Sequence, residues 1–597
     1  MNSLRAALIL LLAQVPAPQP ARTGTASVEG VIVRLGSNEP VSGVDLELTD
    51  TSPAGPPAGV PLPTSTPAPF IGKSGSDGRF AIRNVPSGTY KLVAARIGGL
   101  FVPVEYGQRG VLGRGVSFQL GEGQQMRDVR LEMAPVGTIT GRVFDENQRP
   151  VGHAAVLALS PTYREGEQVM NVMQIVHTDD RGEYRLFSLV PGVYRVAVRP
   201  EDPNRRSAVL NVVPPGRRGP YEQATSPVIT KRILPTGELL EETYRFVYYG
   251  GTTDASRAVP LNVTPGITLG AIDIPIAAGK TKSMHIRGKV IDGTTGNPAA
   301  GAAVRLIPRT FSAFMIVPTT TTDAAGRFDL NGVTPGSYQL YSLGAQVPAA
   351  RPAPGVPPPP PPPPLMTMTA VEVGNEDVEN LNLTINLGST VTARATIEGR
   401  PESDPDLAKM RLNLEAVPNG VAMVTSQGNP VTANGTVTVP NVWPADYRVT
   451  VQGMPANAYV KSMRLGQLDL LADVLRIPTQ MNGQIEIIVG SDSAVVEGKV
   501  VNDRQETASN VKVALVPDAP FRRRADLYKT AATDRSGGFR LTGVAPGDYK
   551  VFAWEEAEDG AWRDPEFLRF DEARGKPVRV NALRTETVSV VVIPARR

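Results

Sequence analysis

The side chains able to do chemistry in this chain are few and scattered. The three histidines, His153, His177 and His285, stand in unrelated contexts and form no His-x-x-Glu or His-Glu-x-x-His pair. A hydrolytic zinc needs three protein ligands around an open position, and the sequence supplies no such set compactly. His177, two residues before Asp179, reads as an exposed loop histidine. Cysteine is absent, which removes disulfides, thiolate metal sites and thiol nucleophiles together. A Ser-His-acid triad would have to assemble from distant segments, and no nucleophile-elbow context supports one. The densest acidic run is Glu555, Glu556, Glu558 and Asp559, flanked by Trp554 and Trp562. Paired carboxylates are the chemistry of glycosidases, and indoles beside charged groups stack on sugars, although the same residues would also pack a terminal edge. With Trp443, these two indoles are the candidate glycan-binding residues. Asp179-Asp180 is too sparse an acidic cluster for a calcium loop, and the glycines punctuate strands instead of opening helices around a phosphate. The expectation is no catalytic residue, no metal site and no cofactor.

The elements that would have to position any site come from one repeated signature: Asp-x-x-Gly-x-Phe/Tyr-x-Leu, then Pro-Gly-x-Tyr, then alternating apolar residues. Clear copies start at Asp179, Asp323 and Asp534 and reach Tyr194, Tyr338 and Tyr549, with Gly182, Gly326 and Gly537 twelve residues before the tyrosine. A variant over 75–90 has Gly75 in place of the aspartate. A faded copy has Thr432, keeps Gly435 and Tyr447, and puts Ala445 in place of the second glycine. The aspartate is expected to accept hydrogen bonds from N–H groups ahead of it, while the glycine takes a positive φ. Phe328 and Leu330 should then face one side of the next strand, with Val333 beneath the core. Asp179, Gly182, Asp323, Gly326, Asp534 and Gly537 are therefore assigned as structural turn residues.

Most copies open on a strand with Gly-x-Val or a close variant, such as Val28-Glu-Gly-Val31, Ile139-Thr-Gly-Arg-Val143, Ile286-Arg-Gly-Lys-Val290 and Val496-Glu-Gly-Lys-Val500. A second alternating strand follows, for example Val44-Asp-Leu-Glu-Leu48. Period-two alternation means one buried and one wet face, and short strands at this spacing predict a sandwich. The expected division is a signal peptide and Pro-rich leader over 1–24 and repeats over 25–134, 135–281, 282–388, 389–490 and 491–597. The second repeat carries an insertion over 202–242, with Arg205, Arg206, Arg217 and Arg218 as a conceivable binding loop. The third is interrupted over 349–364, ending in eight prolines that predict a polyproline II rod. In the degenerate fourth, residues 465–475 are expected to form a short helix, and Asp404 and Asp406 lie in a polar loop that matches no ligand motif.

At 597 residues the chain is long enough for several domains. Its 61 basic and 58 acidic residues leave a net charge of +3, with no block dense enough for a nucleic-acid groove. The run Arg522-Arg-Arg524 reads as a solvated loop. Arg5 precedes the apolar run Ala6-Ala-Leu-Ile-Leu-Leu-Leu-Ala13, which suits a signal-peptide core and is too short to span a bilayer. No later stretch is apolar enough to cross a membrane. Export is expected, to the periplasm, the outer-membrane surface or the exterior.

The Asp-x-x-Gly-x-Phe-x-Leu…Val-x-Pro-Gly-x-Tyr-x-Leu pattern resembles the carboxypeptidase regulatory-like domain family, best over 323–340 and 534–551 and nearly as well over 179–196. The resemblance implies an all-β chain of tandem transthyretin-like (prealbumin-like) Greek-key β-sandwich domains. It implies no activity, since such domains usually accompany an enzyme, a barrel or an anchor, and the Lys, Asn and acid trio of the cross-linked adhesin relatives is not identifiable. The resulting expectation is a non-catalytic modular scaffold or protein-interaction protein of the bacterial envelope. Its partner would be an envelope protein or a polysaccharide, with no nucleic acid and no transmembrane segment. Carbohydrate binding and service as an accessory subunit of an outer-membrane transporter are the alternatives.

Overall fold

The structure, a computed structural model, describes residues 24–51, 69–164 (apart from 109, 112 and 114), 166–206, 225–309, 318–345, 364–417, 428–477 and 483–595. The expected signal peptide, most of the polyproline run, and Arg217 and Arg218 lie outside these residues. The chain divides into two compact units, one ending at Pro135 and one starting at Val136.

The architecture is all-β, a tandem series of small sandwiches. The third repeat shows the plan. Its opening strand Met284–Asp292 lies between Arg327–Val333, antiparallel, and the closing strand Val378–Ile385, parallel. Facing this three-stranded sheet is a four-stranded one, in the order Thr319–Thr321, Ala303–Pro308, Gly336–Leu343, Met366–Val373. Because the closing strand runs parallel to the opening one, it must return across the sandwich, which gives the Greek-key path. The inward residues of both sheets meet in one core: Ile286, Val290, Val304, Leu306, Phe328, Leu330, Leu340 and Leu383 are buried there. The fifth repeat keeps the plan, with Ala494–Val501 between Gly538–Val544 and Thr585–Val591. Among the described residues the large apolar cores fall over 26–133, 139–276, 284–385, 391–489 and 494–592.

The opening strand is pinned by a close approach. A Cβ on Gly288 would lie 2.0 Å from the Leu381 carbonyl oxygen, and one on Gly498 would lie 1.7 Å from that of Val588. An aromatic ring stands opposite each glycine across the antiparallel pair: Phe328 and Phe539, as Phe80 stands opposite Gly30 and Tyr184 opposite Gly141. The ring fills the space over the bare backbone, the arrangement known as aromatic rescue of a strand glycine. In the fourth repeat both members change together, to Ala393 opposite Val437.

The expected helix over 465–475 does not form. Tyr459–Leu465 pairs with the closing strand Gln484–Gly490 and turns tightly into Leu468–Asp469, with Leu465 opposite Leu468. Leu475–Ile477 then joins the other sheet beside Ala445–Gln452. The leucine spacing that reads as helical serves two different strands. The second repeat adds a separate antiparallel sheet of Thr230–Ile233, Leu239–Tyr244 and Lys280–Lys282.

Candidate functional site

The repeated polar residues form the same constellation in successive repeats. Asp323 Oδ1 accepts from the N–H groups of Ala325 and Arg327, both at 2.8 Å. Asp179 does so from Arg181 and Glu183 at 3.0 and 2.8 Å, and Asp534 from Ser536 and Gly538 at 2.8 Å each. Gly182, Gly326 and Gly537 sit at φ +69°, +72° and +74°, in the left-handed region that other residues reach with strain. Where the aspartate is missing, substitutes act. Asp77 Oδ1 accepts from Arg79 N–H at 3.0 Å, and Thr432 Oγ1 accepts from Thr436 N–H at 3.1 Å.

Two further groups complete the turn: a hydroxyl residue that was not singled out from the sequence, and the tyrosine of the repeated signature, whose hydroxyl bond was not anticipated. The residue just before the aspartate position is a buried hydroxyl in four repeats: Ser74, Thr178, Thr322 and Thr533. Each donates to a carbonyl of the preceding loop, Val41, Val151, Ala299 and Ala508, and accepts the N–H of Val44, Ala154, Ala302 and Val511. The fourth repeat has Val431 there, 3% exposed. The corner tyrosine donates its hydroxyl to the carbonyl four residues upstream in every repeat. Tyr90 binds Pro86 at 3.0 Å, Tyr194 Val190 at 2.7 Å, Tyr338 Thr334 at 2.7 Å, Tyr447 Trp443 at 2.9 Å and Tyr549 Ala545 at 2.9 Å. This has the logic of the tyrosine corner of β-sandwiches, in which the phenol ties a bend to its own strand. Burial pushes the Tyr447 phenol up to about 12, so it remains a donor. The sequence signals were present: a hydroxyl residue one position before the turn, and a tyrosine in preference to phenylalanine.

Two of the three histidines, His177 and His285, lie on strands, and His153 is in the turn before Ala154–Arg164. His177 ends the strand Glu167–His177, with its side chain only 9% exposed and Nε2 3.3 Å from a fully buried Glu201 carboxylate. It stacks on His153 at 4.8 Å. His285 lies on the opening strand of the third repeat, with Nδ1 2.7 Å from Asp329 and Nε2 3.2 Å from Glu241. The exposed-loop expectation fails because His177 is on the outer face of a sheet that further chain covers. Among the described residues no three His, Asp or Glu converge as a metal would require. Asp404 and Asp406 pair with Arg400 at 3.3 and 2.8 Å. Nor is the Arg522-Arg-Arg524 run simply solvated: Arg522 Nη2 meets both Glu572 oxygens at 2.8 and 2.9 Å, and Arg524 binds Asp526 and the Val460 carbonyl.

The three indoles are interior. Trp443, Trp554 and Trp562 are 5%, 2% and 6% exposed. In the fifth repeat residues 555–575 fold back as short helical turns over the outer face of the four-stranded sheet. They cover Trp554, Phe552 and Val516, with Leu568 of the segment buried in the same cluster. Trp554 stacks on Phe552 at 5.2 Å and donates Nε1 to Asp571 at 2.9 Å. Lys512 Nζ stands 5.3 Å from the Trp562 ring centre. Sugar stacking needs an open ring face, and none of the three offers one in this arrangement. Within the acidic run, burial pushes the Glu558 carboxyl above its usual range.

A surface groove of about 810 Å³ lies on the third repeat, lined by Arg287, Lys289, Thr320, Asp323, Asp329 and Glu379. Within it Arg287 pairs with Asp329 at 3.2 Å and with Glu379 at 2.5 Å, and also meets Asp377 at 3.2 Å.

Residues 285–347 match the carboxypeptidase regulatory-like domain family. No curated protein matches the sequence. Among solved structures the chain is similar to the minor pilin GBS52 of Streptococcus agalactiae, at 10% identity and a TM-score of 0.21, over 42% of this chain and 94% of that one. It is also similar to the RrgB pilus protein of Streptococcus pneumoniae, at 9% identity and a TM-score of 0.15, over 97% and 100%. A third is the pair of B repeats of the Staphylococcus aureus collagen-binding protein, at 13% identity and a TM-score of 0.13, over 70% and 92%. Among the described residues no helix is long and apolar enough to cross a membrane, which says nothing of a β-barrel.

Proposed function

We propose that this protein is a non-catalytic, exported scaffold of the bacterial envelope, in which five β-sandwich repeats hold protein-contacting loops in fixed register. The observation that carries the reading is that the repeated polar side chains are consumed by the fold. In the third repeat, Asp323, Thr322 and Tyr338 each bond the backbone of their own repeat, and a donor or acceptor so engaged is not free to bind or turn over a substrate. Export rests on Arg5 and the apolar run that follows it. The family match over 285–347 supports a module that accompanies other proteins.

The partner in this reading is an envelope protein. Capture from envelope extract on the mature chain, residues 25–597, tests it, with mass spectrometry and glycan analysis of the same eluate. A saturable protein supports the scaffold, and co-purification of a β-barrel narrows it to a transporter accessory. A saturable glycan, displaced by free polysaccharide, replaces it with the carbohydrate-binding alternative. The buried indoles count against that alternative. Tryptophan emission is expected to be blue-shifted and to stay unchanged across a polysaccharide panel.

A further inference from the structure

The second and fifth repeats each carry a piece with no counterpart among the described residues of the third, and the two pieces meet. In the second, Ala154–Arg164 and Glu167–His177 are eleven residues each, where the third repeat has Ala303–Pro308 and Thr319–Thr321, six and three. The hairpin pairs with the next strand of its own sheet only as far as Leu159, opposite Arg195; from Ser160 onward it pairs solely with its return strand. Five residues at about 3.4 Å each carry the tip roughly 17 Å beyond the sandwich. In the fifth repeat, the extra piece is the cap of residues 555–575 over Trp554 and Phe552.

The tip rests on the cap. Tyr163 meets Phe567 edge to face, with ring centres 5.9 Å apart and planes at 69°. A Cβ on Gly166 would lie 2.8 Å from the Arg563 carbonyl oxygen, and one on Gly560 would lie 3.5 Å from Tyr163 Cβ. The cap side is itself anchored, because the Arg563 guanidinium lies over the Tyr528 ring at 5.4 Å and donates to the Ala525 carbonyl at 3.4 Å. Backbone approaches this close, at a glycine on each side, match two surfaces shaped for one another.

We propose that the cap of the fifth repeat is an interaction surface whose occupant is the hairpin tip of the second repeat of the same chain, a latch that closes residues 136–597 into one body. Within residues 136–597, two junctions between sequential neighbours are already bridged. His285 bridges to Glu241 from the second repeat to the third, and Tyr459 donates to Asp492 at 3.1 Å at the junction of the fourth and fifth. The latch adds a contact between repeats that are not sequential neighbours. Loop-closure entropy rises only logarithmically with the length closed, so the long sequence separation is no obstacle. The inference goes beyond the scaffold reading and does not depend on it: a latched body presents its loops at fixed angles, where an unlatched string would extend.

The chain has no cysteine, so Tyr163→Cys with Gly560→Cys introduces its only thiol pair, at a Cβ separation at the short end of the disulfide range. Oxidation of the purified full chain is expected to give an intramolecular cross-link: a monomer of altered mobility on a non-reducing gel that reverts on reduction. Disulfide-linked dimers, or thiols that stay free in a protein with native circular dichroism, would overturn the proposal. Gly560 lies at φ +91°, where cysteine is strained, so a second measurement leaves it untouched. Tyr163→Ala is expected to speed amide hydrogen exchange over 561–569 while residues 154–159 stay as protected as before. Unchanged exchange in the cap would overturn the latch equally.

Discussion

One phenol hydroxyl carries the same bond five times. Tyr549 donates to the Ala545 carbonyl, at a residue 6% exposed, and removing the donor leaves that acceptor without a partner it can easily replace. Tyr549→Phe is therefore expected to destabilise the fifth repeat by about 1 kcal/mol, read as a lower midpoint in urea with an unchanged slope. The turn aspartate behaves differently because it is charged. Asp534 is held below the usual carboxylate range first by the Ser536 hydroxyl and then by the Gly538 N–H. A lowered folded value means that the ionised form stabilises the native state above the unfolded pKa of about 3.9, and that this contribution is lost as pH falls through the folded value. The group is near the surface, so screening keeps the effect small. Asp534→Asn is expected to lower the melting temperature at pH 7 and to leave it nearly unchanged at pH 2; an equal loss at both would mean that the charge is irrelevant. The turn role of this aspartate could be read from spacing, because Asp and Gly have few reasons to recur three apart. Trp554 and Trp562 could not be placed that way: residues 555–575 have the composition of a polar loop, and only its folding back over the sheet shows the indoles to be interior.

At the scale of elements, the opening strand depends on a bare backbone. A methyl on Gly498 would stand 1.7 Å from the Val588 carbonyl, so Gly498→Ala must push apart the parallel pair that closes the sandwich. The expected cost is about 1–3 kcal/mol or more, visible as loss of the fifth repeat's unfolding transition in calorimetry. The fourth repeat, with Ala393 opposite Val437, has already made this exchange on both strands, so Ala393→Gly should change stability far less. Strand positions were legible because alternation marks one wet face, as in Asp45-Leu-Glu-Leu48. Where both faces are covered the alternation vanishes. Residues 154–159 are all buried and read as an unbroken apolar run, which conceals that a second layer lies on the outer face. Residues 465–475 misled for the opposite reason, since leucines committed to different strands mimic a helical stripe.

For the molecule as a whole, repetition makes fold-building visible in the sequence and leaves function obscure. The three turn aspartates, Asp179, Asp323 and Asp534, are the polar residues that a catalytic or binding reading would seize on first, yet each accepts from backbone N–H groups of its own turn. The fivefold division predicts first proteolytic cuts within 202–242 or 349–364, checked by mass spectrometry of the fragments, with the cores on either side surviving. The most direct test replaces the three aspartates together. In the full chain, Asp179→Ala, Asp323→Ala and Asp534→Ala should lower thermal stability, at about 1 kcal/mol for each turn, while the set of envelope proteins captured at a temperature where the variant stays folded is unchanged. Unaltered melting together with loss of the captured partner would contradict the account and place the turns at the binding site.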